Sequence, residues 1–148
     1  MAKKTRKWIL GAIVLIVLVG GAIGLYFYNK GPVDVKNSQA TGIAATTLYD
    51  SFVKDSSGSL EEYTGRILSV QGRVQSVSQN QQKETVILLK TNSDGGYINC
   101  TMEEIKELPV PETEVNIKGI CSGMGQGDAE LGIMGDVYLT RGYLMKNN

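Results

Sequence analysis

The sequence predicts a mainly β fold: a closed barrel of five strands preceded by a short helix, with one transmembrane helix at the N-terminus. Three observations carry this. Residues 8–28, WILGAIVLIVLVGGAIGLYFY, hold no charged side chain. From residue 66 apolar residues recur at every second position, the period of a strand. Five such runs follow one short helical pattern, and the only break that reads as helical falls between the third and the fourth.

At about 1.5 Å per residue the uncharged run reaches roughly 31 Å, the thickness of a bilayer's hydrocarbon core. The tail before it, residues 1–7, carries Lys3, Lys4, Arg6 and Lys7 and no acid, which favours a cytoplasmic N-terminus. Trp8 at one end and Tyr26, Phe27 and Tyr28 at the other suit the two interfaces. A cleaved signal peptide is the alternative. Its apolar region is usually shorter, about 7–15 residues, and small residues follow it, whereas aromatics follow here. The expectation is a single-pass protein of the cytoplasmic (inner) membrane, N-terminus inside and domain outside, with the lipid bilayer as one partner and an unknown envelope protein or ligand as the other.

Residues 29–42, NKGPVDVKNSQATG, read as a polar linker, and 43–148 as the domain. From residue 31 onward ten Lys and Arg stand against all fifteen Asp and Glu, so the domain is acidic although the whole chain is formally neutral. Ala44, Ala45, Leu48, Phe52 and Val53 recur at helical spacing. Asp55-Ser56-Ser57-Gly58 ends that helix, and Ser59-Leu60-Glu61-Glu62 has the form of a capping box for one more turn. The strands are then 66–79, where Gly72 permits a bend; 85–91, apolar enough for burial on both faces; and, after the hairpin signal Asn92-Ser93-Asp94-Gly95-Gly96, 97–102. Residues 103–108 suit a helical turn that Pro109 and Pro111 stop. Strands 114–121 and 131–144 complete the set, with Gly119 and Gly135 as further bends. Five strands in this order make an OB-fold-like barrel.

The stretches YTGRILSVQGRVQSV, YINCTM and VNIKGICSG resemble the bacterial OB-fold proteins called tRNA-anticodon-binding-like. The resemblance covers roughly 45–140 and is carried by Tyr63, Gly65, Val70, Gly72, Val74, Cys100, Val115, Lys118, Gly119, Cys121 and Gly123. The family's name implies nucleic acid, but a fold does not assign a function, and no ligand-binding residue carries across.

Residues 121–132, CSGMGQGDAELG, look like a phosphate-cradling loop. Such a loop needs a helix after its glycines, and here strand spacing follows, with Asp128 and Glu130 to repel a phosphate; a hairpin turn is expected. Cys100 and Cys121 end the third and fourth strands. They read as two buried thiols or, outside the cytoplasm, as a disulfide; zinc would want about four ligands, and the chain has no histidine. That absence and the lack of a nucleophile elbow point away from an enzyme, and no catalytic residue, metal or cofactor is expected. The reading is a non-enzymatic binding module for a protein, glycan or small molecule, with Arg73, Tyr97 and Asn99 as candidate ligand-binding residues near the second and third strands. The alternative is an OB domain for single-stranded nucleic acid or oligosaccharide; the acidic charge argues against nucleic acid, since that affinity comes from phosphate neutralisation.

Overall fold

The computed structural model describes residues 2–29, 31, 33–128 and 130–146, with side chains from residue 11 onward except those of 12 and 27. The chain forms two compact units, residues 1–33 and 34–148.

The first unit is one helix, α1 (Ala2–Asn29). Its consecutive residues Ile13 to Val19 are each at least half exposed, so this stretch of the helix is apolar all round. Among the described residues no helix is long and apolar enough to cross a membrane. The span expected over 8–28 also needs residues 8–10, 12 and 27; their side chains, the anchors Trp8 and Phe27 and the basic tail 1–7 included, lie outside those described.

The second unit begins at Asp34, earlier than the expected end of the linker at 42. Val35 is fully buried, and β1 (Thr41–Ala44) pairs parallel to the next strand. Polar composition hid this, because one apolar residue and four strand residues are enough to lay the segment on the barrel.

Two helices follow, α2 (Ala45–Lys54) and α3 (Ser56–Tyr63). Their junction is a single residue. The carboxylate of Asp55 accepts the Gly58 backbone N–H at 3.0 Å, so Asp55 caps α3, and the expected capping Ser59 is buried one turn inside. Leu48, Tyr49 and Phe52 form the buried face of α2.

The strands are β2 (Ile67–Gln79), β3 (Thr85–Lys90), β4 (Tyr97–Glu104), β5 (Glu114–Met124) and β6 (Val137–Met145). The order β2-β3-β4-β6-β5 closes through a β2–β5 pairing into a barrel. β2 makes closure possible by serving two neighbours: residues 67–73 pair with β5, and from Val74 onward it pairs with β3 across a register shift. β1 covers the edge of β2 that β3 does not reach. Gly72 sits at this divergence, and a side chain there would lie 2.8 Å from the Ala45 Cβ. Its smallness therefore admits α2.

Two further expectations differ from the structure. Residues 103–108 form no helix: β4 runs on through Glu104, which pairs in register with Tyr143, and Ile105 packs against the core. The helix that packs into the barrel core is α2, so the third-to-fourth connection need not supply one. The last strand starts at Val137, not 131. Residues 128 and 133 bridge each other instead, and a Cβ on Gly135 would meet the Gly125 carbonyl oxygen at 2.1 Å.

The core gathers the α2 face with inward residues of every barrel strand, among them Val70, Leu89, Ile98, Ile117 and Leu139. Cys100 and Cys121 are free and fully buried there. Both pair with the same residue, Leu139, from opposite sides of β6. Two strand spacings put their Cα atoms roughly 10 Å apart, beyond the 7 Å or so that a disulfide spans.

Candidate ligand-binding face

Alternation along β4 builds the face. Ile98, Cys100 and Met102 point into the core, which turns Tyr97, Asn99 and Thr101 outward, each half-buried. β3 contributes Lys90, the register partner of Tyr97. β6 contributes Tyr138 beside Asn99, with 41% of its surface exposed.

Asp136 holds the face together. Its carboxylate accepts the Tyr97 backbone N–H at 3.0 Å and the Asn99 side-chain N–H at 3.5 Å. Its own carbonyl oxygen accepts the Gly125 N–H at 2.8 Å. One residue thus fixes the start of β4 against both ends of the loop 125–136. The glycines of this loop serve packing. A Cβ at Gly125 would lie 2.8 Å from the Tyr138 ring, and one at Gly127 would lie 2.3 Å from the Ile133 carbonyl oxygen. Asp128 and Ile133 exchange two backbone hydrogen bonds of 2.8 Å, and the Asp128 carboxylate accepts the Glu130 and Leu131 N–H groups. The segment is a hairpin loop, as the strand spacing after it implies, with no helix behind the glycines.

The structure brings Tyr97 and Asn99 together on Asp136. Arg73 is apart from them. It is exposed on β2, opposite Glu114, and lines a cavity of about 470 Å³ with Lys90, Thr91 and the first residues of α2. Lys90 joins the two places, since it pairs with Tyr97 and lines the Arg73 cavity. Sequence reasoning missed Lys90, Asp136 and Tyr138 as site residues. The alternation Val137, Leu139 inward marks Tyr138 as outward; nothing local marks Asp136, because its partners are thirty-odd residues away in sequence.

The face has little free positive charge. Lys90 is ion-paired with Glu112, and Arg141 with Glu103 through an Nη2–Oε1 contact of 3.1 Å. The hydrogen bond from Arg141 holds the Glu103 carboxyl below its usual range, as that from Lys90 does for Glu112. Asp136 adds a further negative charge. Among the described residues no group of three or more Cys, Asp or Glu is placed to hold a metal ion.

The family described as tRNA_anti-like matches residues 1–131. A solved structure assigned as an aspartyl-tRNA synthetase of Leishmania major Friedlin is similar, with 9% identity and a TM-score of 0.42, over 80% of this chain and 23% of that one. This chain therefore spans under a quarter of that protein. No curated protein matches.

Proposed function

We propose that this chain, which belongs to the tRNA_anti-like family, is a non-enzymatic binding module whose barrel offers the outer face of β3, β4 and β6 to a neutral or weakly polar ligand. The single observation that carries this is the constellation of Tyr97, Asn99 and Tyr138 around Asp136, where Lys90 and Arg141 are already paired with carboxylates. Tyrosines there give flat apolar contact with a polar tip, and the asparagine amide and Asp136 give directional hydrogen bonds. A protein segment or a glycan meets that description.

The same reading tethers the module to a membrane, with the domain outside the cytoplasm and residues 8–28 in the lipid. Supporting it are the uncharged run, the cations before it and the apolar surface that α1 exposes on all sides. Reporter fusions at the C-terminus, one active only in the cytoplasm and one only outside it, test the topology.

A second reading is favoured by the aromatic pair and by the family: OB folds bind single strands by stacking bases on aromatics along a basic groove. Anisotropy of labelled single-stranded DNA and RNA, titrated with the full chain at two salt concentrations, separates the two. The first reading expects no binding at low salt. Binding that weakens steeply with salt and is lost on Tyr97→Ala would replace it with the second.

A further inference from the structure

A second cavity, of about 510 Å³, lies where the domain begins, away from the face just described. Lys36, Lys106 and Lys146 line it with Tyr143, Glu104 and Glu107. We propose that it receives the phosphate of an anionic phospholipid headgroup and seats this part of the barrel on the membrane surface. The assignment rests on the anchored reading above.

Lys36 belongs to the barrel rather than to a loose tether. Val35 before it is fully buried, and the ammonium of Lys118, itself nearly buried, donates to the Lys36 carbonyl oxygen at 3.0 Å. The Lys36 ammonium then lies 3.1 Å from the Glu104 carboxylate and 5.8 Å above the Tyr143 ring. A phosphate entering here meets the exposed Lys106 and Lys146 beside the fixed Lys36–Glu104 pair. Leu144 and Met145 give the cavity an apolar wall. Leu108 and Val110, 60% and 66% exposed, follow Lys106 on the same segment. Lysines beside exposed apolar side chains are the composition of a surface that lies in a lipid interface.

Charge is distributed to match. Of the ten cations from residue 34 onward, Lys36, Lys106, Lys118 and Lys146 stand in or against this cavity. Of the fifteen carboxylates Asp34, Glu104 and Glu107 do. The remaining surface therefore carries six cations against twelve carboxylates. A strongly acidic body held near an anionic surface turns its least negative side toward it.

The test uses the full chain in nanodiscs of phosphatidylcholine alone or with phosphatidylglycerol, and reads the acetylation rate of each lysine by mass spectrometry. Lys36, Lys106 and Lys146 are expected to react about fivefold more slowly in the anionic discs, the effect of roughly one engaged lysine, while Lys54 and Lys83 are unchanged. High salt should erase the difference. The double variant K106Q/K146Q, which keeps the Lys36–Glu104 pair, should return Lys36 to its rate in neutral discs. Equal rates in both discs, or uniform slowing of all lysines, would overturn the headgroup site alone. Equal slowing in neutral discs on adding inorganic phosphate would overturn the lipid in favour of a free phosphate. A chain that elutes apart from both discs overturns the anchor, and this surface with it.

Discussion

The Tyr49 hydroxyl donates a 3.0 Å hydrogen bond to the carbonyl oxygen of Gly135, 86 residues later in the chain. It ties the buried face of α2 to the loop that carries Asp136. Burial, and then the nearby Asp136 carboxylate, push the Tyr49 hydroxyl above its usual pKa, so it stays a donor across the neutral range. Tyr49→Phe leaves the Gly135 oxygen buried without that partner, at a cost of about 1–3 kcal/mol. Thermal unfolding of the variant should fall by several degrees, since about 1 kcal/mol shifts a domain of this size by roughly 4–8 °C. A melting temperature equal to the parent's would mean that the bond contributes nothing.

Gly96 lies directly under the same ring. A Cβ there would come within 1.9 Å of the Tyr49 hydroxyl oxygen and 2.3 Å of its ring carbon Cζ. Tyr49 is fully buried and cannot step aside. Gly96→Ala should therefore cost about 3 kcal/mol or more, the upper range for overpacking a core. Gly42→Ala, where nothing lies within 4 Å, should melt within a degree or two of the parent and serves as its control.

Much of the barrel is legible in the sequence because it is written in local patterns. Leu68, Val70 and Val74 spell out the inward face of β2, and Asn92-Ser93-Asp94-Gly95-Gly96 joins β3 to β4 as a turn should. What was not legible depends on partners far along the chain. Glu104 continues a strand because it pairs with Tyr143, and Val35 is fully buried although the stretch around it is polar. The site divides in the same way. Tyr97 and Asn99 follow from alternation on β4, but their grouping comes from Asp136, and Arg73 reaches that group only by way of Lys90.

The cysteines should behave as inert core residues. Burial alone raises the Cys100 thiol far above its usual pKa, and burial also raises Cys121. Thiolate is the reactive form. A thiol-labelling reagent at mildly alkaline pH should modify neither residue in the folded chain and both after denaturation. Reductant should leave the melting temperature where it was. A drop of several degrees on reduction would reveal a disulfide and contradict the register around Leu139.

Acid should weaken the fold through its surface pairs. Hydrogen bonds from Arg141, Lys36 and Lys90 hold Glu103, Glu104 and Glu112 below the ordinary carboxylate value of 4.5. A carboxyl whose pKa is lower folded than unfolded adds stability that is present above the unfolded value and lost as pH falls through the folded one. The melting temperature should be level near neutrality and decline below about pH 4.5. The three groups are exposed, so each effect is small and salt-sensitive. The triple variant E103Q/E104Q/E112Q should melt slightly lower at neutral pH and decline less steeply in acid. A decline as steep as the parent's would assign the acid sensitivity to other groups.

Removal of the Asp136 carboxylate separates structure from binding. Asp136→Ala orphans the Tyr97 N–H and releases Asn99, at a cost of about 1–3 kcal/mol. Because Asp136 also helps to raise the Tyr49 hydroxyl, the tyrosine absorbance titration of the variant should lose part of its most alkaline component. Asp136→Asn keeps an acceptor for the Tyr97 N–H and drops only the charge. It should recover most of the stability and still show the altered titration. Were the two variants equally unstable, the charge rather than the hydrogen bond would be what holds the loop to β4.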